Sequence, residues 1–311
     1  MGCFPTAAGS VRTTYPTQSE NPMKTLNSIS GGKTSAYMAV HYPADYHVFA
    51  LVRIEDKACA PKDKGLIRAV EDKINTDFIA TAEEDGTLMA VLDLEQHTGK
   101  EIHWVTGPTF ERLITKRNYL PNKVSRFCTT DMKIQPIFNF WRKNIRQPVE
   151  QRMGFRANES RRASGIMDRA NKDGLVEMKA VIGTHTTGRH AGRPKWGLVP
   201  WYKPAFPLVQ AGVFKWEIEN YWEGKGVRFA RLNNCVGCFH RPPTLLKKQS
   251  EWQPEKFAWF ERMENHDHQG SWRSDMRYAE IRDMPLQMEL DVFADIFAED
   301  LESCESGYCG F

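Results

Sequence analysis

The sequence predicts an α/β fold, a mostly parallel sheet flanked by helices, with a cysteine-anchored, helical or irregular C-terminal subdomain. Three observations carry this expectation. Short apolar runs alternate with helix-patterned segments, as right-handed crossovers between parallel strands require. His47–Ile54 (HVFALVRI) is a nearly continuous apolar run of the kind a strand buried on both faces shows. A glycine pair follows the first run and opens a helix, a junction suited to binding an anion.

Taken in order, Lys24–Ser30 (KTLNSIS) reads as the first strand, and Lys33 to His41 as a helix burying Ala36, Met38, Ala39 and Val40. His47–Ile54 is the second strand, Leu88 to Gln96 is helical, and Glu101–Thr106 (EIHWVT) is the third strand. Phe110–Arg117 and Pro136–Arg146 read as helices, and Glu177–Gly183 (EMKAVIG) as a fourth strand. The stretch from Thr184 to Gly197 (THTTGRHAGRPKWG) is polar, basic and glycine-rich. It reads as a mobile loop, either a solvated insertion or a flap over an anionic substrate. Beyond Gly226 the chain is rich in Trp, Phe, Arg and Cys and ends in GYCGF. The expected organisation is a flexible extension over 1–22, a nucleotide-binding domain over 23–225, and a cysteine-rich subdomain over 226–311 packed on it.

Composition narrows the classes. The 311 residues are 41% apolar and 26% charged, with a net charge of only +3, which excludes a collagen, a coiled coil and a mainly disordered chain. No apolar run approaches 18 residues, so no membrane partner is expected. Residues 1–22 lack the apolar core of a signal peptide, although MGCFPT fits the permissive myristoylation pattern. Seven cysteines, an odd number without an export signal, argue for reduced thiols and a cytoplasmic location.

The chemistry begins at Ser28-Ile29-Ser30-Gly31-Gly32-Lys33-Thr34-Ser35. Paired glycines let successive N–H groups turn toward one anion, and the helix N-terminus adds about half a positive charge. Ser30, Thr34 and Ser35 offer hydroxyls, and Lys33 a point charge. A Walker loop would need a glycine where Asn27 stands, so that pattern fails. Cys235 and Cys238 form C-x-x-C, the spacing at which two thiolates on a tight turn reach one metal. Cys128 is the expected third ligand, and Cys309 or Cys304 the fourth. Thiolates suit an iron–sulfur cluster or tetrahedral zinc, and spacing does not separate the two. Cys59 reads as an inert loop thiol, and His240 as a surface or substrate-contact residue.

The SGGxxS loop resembles that of the PP-loop ATP pyrophosphatases. Arg126-Phe127-Cys128-Thr129 with Lys133 and Pro136 is similar to the R-x-C-T-x-x-x-K-x-x-P segment of the phosphoadenylyl-sulfate (PAPS) reductase superfamily. Residues 154–162 (GFRANESRR) are similar to its G-x-R-x-x-E-S-x-x-R segment. Pro207-Leu208, Trp216 and Tyr221-Trp222 resemble a further stretch, and Cys235–Cys238 stands where relatives carry GC-x-x-C. Four motifs in order cover about residues 24–245. The resemblance implies an adenine-nucleotide α-hydrolase-like, Rossmann-like fold with the ligand at the carboxyl ends of parallel strands.

It also implies ATP, or an adenylyl sulfonucleotide, on Ser28 and Ser30–Ser35, with Arg126, Lys133 and Glu159 nearby and Mg²⁺ bridging the phosphates. Lys33, Arg156 and Arg162 would neutralise charge as pyrophosphate leaves. The cysteine layout resembles that of iron–sulfur sulfurtransferases that thiolate DNA or tRNA. The implied activity is therefore ATP-dependent activation of an acceptor, followed by [4Fe-4S]-dependent sulfur transfer with a sulfur or electron donor protein. The tail lacks the Glu-Cys-Gly-x-His motif of sulfonucleotide reductases. A reductase is the alternative if Cys304 or Cys309 replaces that nucleophile, and a non-catalytic zinc-stabilised nucleic-acid-binding protein is a third reading. Lys and Arg outnumber acids fourteen to five between Glu111 and Arg169, a footprint for nucleic acid if they share a face. Trp196, Trp201, Tyr202, Trp216, Tyr221 and Trp222 are candidate stacking surfaces, although most tryptophans should be core.

Overall fold

A computed structural model describes residues 22–265 and 270–285. The expected extension, apart from Pro22, and the tail with Cys304 and Cys309 lie outside the described residues. The chain runs β1 (Thr25–Ile29), α1 (Lys33–His41), β2 (Tyr46–Leu51), β3 (Arg53–Ile54), α2 (Lys64–Ile74), β4 (Ala80–Thr81), α3 (Asp85–Thr98) and β5 (Ile102–Thr106). It continues through α4 (Phe110–Arg117), α5 (Phe127–Thr129), α6 (Gln135–Asn144), β6 (Val149–Arg152), α7 (Ser160–Met167), β7 (Val176–Thr184) and β8 (Pro194–Ala205). Five helices follow: α8 (Pro207–Gln210), α9 (Lys215–Trp222), α10 (Pro243–Trp252), α11 (Pro254–Asn265) and α12 (Tyr278–Asp283).

Six strands form the main sheet in the order β5-β2-β1-β6-β8-β7, parallel except for β7 against β8. The fold is thus α/β, with a mostly parallel, Rossmann-like sheet flanked by helices. The chain moves outward from β1 through β2 to β5, then returns to β6 on the other side of β1. That reversal leaves a crevice at the carboxyl ends of β1 and β6, where open α/β sheets take ligands. Leu26, Ile29, Phe49 and Leu51 are buried, as strands covered on both faces demand.

Three apolar clusters hold these layers. The first packs α1, α2, α3 and α9 on one face of the sheet, with Met38, Phe49, Leu88 and Trp222 at its centre. The second puts α6 and α7 on the other face through Phe138, Trp141, Ile166 and Trp201. The third joins β3, β4 and α4 to the C-terminal helices through Phe110, Phe257, Phe260 and Trp272. The described part of 226–285 therefore shares a core with residues of 23–225. No helix among the described residues is long and apolar enough to cross a membrane.

Several elements differ from the sequence reading. The run His47–Ile54 is two strands, because β3 leaves the sheet and pairs antiparallel with β4. The strand over 177–183 is antiparallel, and α2 and β6 are additional elements. The stretch Thr184–Gly197 is loop in its middle, over 185–193, and only its two ends, Thr184 and 194–197, are ribbon. The ends of β7 and β8 pair through Val181↔Trp196 to Thr184↔Pro194. Only Tyr202–Ala205 of β8 pairs with β6. Because β8 runs parallel to β6 and β1, its earlier residues leave the sheet at the amino edge. The phosphate loop follows β1 at the carboxyl edge, so the ribbon is not a flap over that loop.

Candidate functional site

The loop after β1 is built around a left-handed glycine. Gly31 has φ +80°, and a Cβ there would stand 2.6 Å from Thr87 Cγ2 and 3.0 Å from the Thr87 carbonyl. A side chain on Gly32 would overlap the Asn233 amide. Ser35 closes the turn: its hydroxyl accepts from the Ser30 N–H at 3.1 Å, donates to the Gly32 carbonyl at 3.1 Å and lies 2.9 Å from Ser30 Oγ. Gly32 caps α1 without a side-chain hydrogen bond, so the first helical N–H groups point into the crevice. After β6, Gly154 crosses this helix start closely, a Cβ on it lying 3.1 Å from Ser35 Cα.

A cavity opens beside the loop, walled by Lys33, Thr34, Arg156, Lys215, Arg231 and Asn233, with Glu219 at its side. Four cations thus face one helix N-terminus. Arg156 is 2% exposed, and its Nε donates to Glu159 Oε2 at 3.2 Å. Glu159 also accepts from Arg162, whose guanidinium lies 4.4 Å from the Phe155 ring centre. Glu159 therefore orients two arginines and is not placed as a base. Lys33 pairs with Glu219 of α9, and Trp222 Nε1 donates to the Lys33 carbonyl at 3.0 Å, tying α9 to the loop. Asn233 is buried, and its Oδ1 has no hydrogen-bond partner among the described residues. Ser28 lies in the sheet interior on β1 and accepts from Gln151 Nε2 of β6 at 2.8 Å, so its hydroxyl is engaged within the sheet.

A second cavity brings together Cys128, Cys235 and Cys238 with Lys133, Asn234 and His240, against Val52, Phe110, Phe239, Phe260 and Trp272. Cys128 sits on α5, directly before a π-helical turn over Thr130–Ile134 that carries Lys133. Such turns widen a helix locally and are frequent at functional sites. Cys235 is held by a bridge to Glu83, and the Val236 N–H donates to the Ala82 carbonyl at 2.8 Å. Gly237 is required here, since a Cβ would stand 2.3 Å from the Phe260 ring.

Electrostatics set this second cavity apart. Burial, then the neighbouring Cys238, push the Cys128 thiol up to about 12, and burial with Glu83 raises Cys235 well above the usual thiol range. Lys133 Nζ donates to Glu83 Oε1 at 3.1 Å. Burial opposes its charge, but Glu83 and then Cys235 hold the ammonium above the ordinary lysine range. Arg126 feels Cys128 and Cys238, although burial, the larger influence, lowers it. Burial also lowers His240 to about 4, reinforced by Arg126, Lys123 and Arg162.

The structure therefore sorts the expected residues into two groups. Ser30, Gly31, Gly32, Lys33, Thr34, Ser35 and Arg156 surround the crevice at the start of α1. Lys133 and Arg126 stand with the thiols instead, while Glu159 and Arg162 lie between. Cys309 lies outside the described residues. Among the described residues, no three His, Cys, Asp or Glu side chains are grouped to hold a single ion. Cys59 is buried, donates to the Glu255 carbonyl at 3.5 Å and is pushed up to about 12 by burial, consistent with an inert thiol. Trp201, Tyr202 and Trp222 are core, whereas Trp196 and Trp216 are exposed.

Lys215, Arg231 and Asn233 escaped the sequence reading. The only available signal was the polar Asn233-Asn234 pair directly before C-x-x-C. That pair has a structural consequence: Asn233 lines the phosphate cavity and Asn234 the thiol cavity. Asn234 has φ +75°, a left-handed turn that an asparagine tolerates. One peptide is thus the common wall of the two cavities. No protein-family model matches the chain, and no curated protein or solved structure matches it.

Proposed function

We propose that the protein is a PP-loop ATP pyrophosphatase of the PAPS reductase type that activates an acceptor oxygen for sulfur transfer. The observation that carries this reading is the shared wall: a four-cation crevice on a helix N-terminus lies one peptide away from a three-thiol cavity. The N–H groups of Gly32–Ser35 would hold the nucleotide phosphates, with Mg²⁺ as counter-ion. An acceptor oxygen attacks the α-phosphorus, the bond to the bridging oxygen breaks, and pyrophosphate leaves carrying the added charge. Lys33, Arg156, Lys215 and Arg231 face that charge, the kind of fixed electrostatic stabilisation that dominates such steps. Glu159 keeps Arg156 oriented, and Arg162 sits between the two cavities.

What supports a thiolate-bound metal group is that three thiols, aromatic walls and a buried ammonium that would offset thiolate charge meet in one cavity, although among the described residues the three sulfurs are not grouped on a single ion. Cys128, Cys235 and Cys238 would hold the group, with Cys309 as the fourth ligand. An iron–sulfur cluster there would supply the site at which sulfur is held for transfer. Lys133 would offset thiolate charge, and Glu83 would hold that ammonium in place. A sulfur or electron donor protein would restore the site after each turnover.

Anaerobic purification with iron, sulfide and zinc analysis tests the reading. About four iron and four sulfide per chain support it. One zinc and no sulfide would overturn the sulfur-transfer half and favour a structural metal. The ATP half is tested separately by pyrophosphate release. Lys33→Ala should slow turnover by about a hundredfold while leaving the circular dichroism spectrum unchanged, since loss of one such donor costs about 3 kcal/mol. Undiminished turnover would remove Lys33 from the machinery.

A further inference from the structure

We infer that the β7–β8 ribbon is a DNA-binding arm that enters the major groove of a duplex. The inference names the acceptor class for the activity proposed above and rests on that reading only for the chemistry, not for binding. Its first support is shape. Residues 194–201 of β8 pair with β7 alone, so about 25 Å of two-stranded ribbon extends beyond the six-stranded sheet. A B-form major groove, about 12 Å wide, admits a two-stranded ribbon.

Charge is the second support. No Asp or Glu occurs from Met178 to Trp216, while Lys179, Arg189, Arg193 and Lys195 all stand exposed on the ribbon or its tip. The tip is closed by its own backbone: the His185 N–H donates to the Arg193 carbonyl at 2.9 Å and the Gly192 N–H to the His185 carbonyl at 2.8 Å. The two tip arginines are therefore carried on a defined turn.

The third support is the uncovered face. Trp196 is 58% and Leu198 64% exposed, in one row of β8, and Lys179 stands opposite Leu198. The reverse face is buried only at its root, at Ala180; Ile182, itself 49% exposed, packs over Gly197. The backbone is braced where Arg142 of α6 donates to the Val181 carbonyl at 2.5 Å. An apolar pair flanked by cations suits base edges and thymine methyls between phosphates. An A-form RNA groove is too narrow for the same entry. At the root of the arm, Leu198 shares a groove with Arg169.

The test is fluorescence anisotropy of the full chain with a labelled 30-bp DNA duplex, without ATP, across a salt series. The same-sequence RNA duplex and single strand serve as comparisons. The wild type should prefer duplex DNA. The fourfold variant Lys179→Gln/Arg189→Gln/Arg193→Gln/Lys195→Gln should bind at least tenfold more weakly, with a log–log salt slope shallower by about three to four. Trp196→Ala should weaken binding while keeping the slope. Equal affinity and slope in the fourfold variant, or preference for RNA or single strand, would overturn the arm. Pyrophosphate release from the same variants is the separate readout. If DNA binding ignores the arm but Lys33→Ala still stops release, the arm fails and the pyrophosphatase stands.

Discussion

Gly31 and His47 show how single residues are constrained by backbone conformation and by burial. Gly31 combines a left-handed backbone with a crowded site against Thr87, whereas Gly174 has a similar φ of +75° and nothing near its missing Cβ. Replacement by alanine at Gly174 should cost about 1 kcal/mol, the left-handed penalty alone. At Gly31 the overlap adds to that, and the loss should exceed 2 kcal/mol. Urea melts of the two variants measure the difference, and equal losses would mean that Thr87 yields freely. His47 is 3% exposed on β2, and neither ring nitrogen has a hydrogen-bond partner among the described residues. Burial, helped by Lys100 and His103, lowers it from about 6.5 to about 4. The unfolded chain therefore binds the proton more readily. Stability should fall as pH drops from about 6.5 to about 4, by up to about 3 kcal/mol, and level off below. His47→Leu should flatten the melting temperature across that window if this residue is the source.

At the level of elements, glycines and apolar runs were legible in the sequence, and pairings between distant segments were not. The turn Ser30–Ser35 and helix α1 were readable because a strand, two glycines and hydroxyl residues are contiguous. Helix α4 was readable from its end-to-end amphipathic pattern. Strand β8 was hidden by Pro194, Gly197, Pro200 and Pro204, which read as breakers. The sheet accommodates Pro200 beside a register shift between Val176 and Glu177, where an unbroken ladder is not needed. Lys133 was assigned to the nucleotide because it follows Arg126 and Cys128 in sequence. The π-helical turn, and the pairing with Glu83 at the end of β4, bring it to the thiols instead. That pair is 10% and 1% exposed, so losing one member strands a buried charge. Lys133→Met should destabilise the protein by about 3–5 kcal/mol, and adding Glu83→Gln should recover most of it. A thermal double-mutant cycle with no recovery would mean that Lys133 acts through packing alone.

Across the whole molecule, the topology makes two cavities neighbours although their residues come from opposite ends of the chain. The reversal of strand order at β1 and β6 places the phosphate loop beside Arg156, and α9 then closes over it through Lys33 and Trp222. The segment after α9 returns along α3, where Arg228 forms two hydrogen bonds to Asp93 at 2.8 Å through Nε and Nη2. It then delivers Arg231 and Asn233 to one cavity and Asn234 to the other. Arg241 donates to the Asn233 carbonyl, and Arg273 donates to the Arg241 carbonyl at 2.6 Å, so the common wall is braced from the C-terminal side. A nucleotide on Gly32 would meet the Asn233 amide, and whatever it does to that amide is passed through Asn234, two peptide bonds, to Cys235. Bound ATP should therefore slow alkylation of Cys235 and Cys238 severalfold, with the buried Cys59 as the unreactive internal control. Asn233→Ala should retain nucleotide binding but lose the protection. If the wall couples the cavities, alkylated protein should in turn bind ATP more weakly. Peptide mapping after timed iodoacetamide treatment reads both, and identical alkylation rates with and without ATP would show that the wall separates the cavities without coupling them.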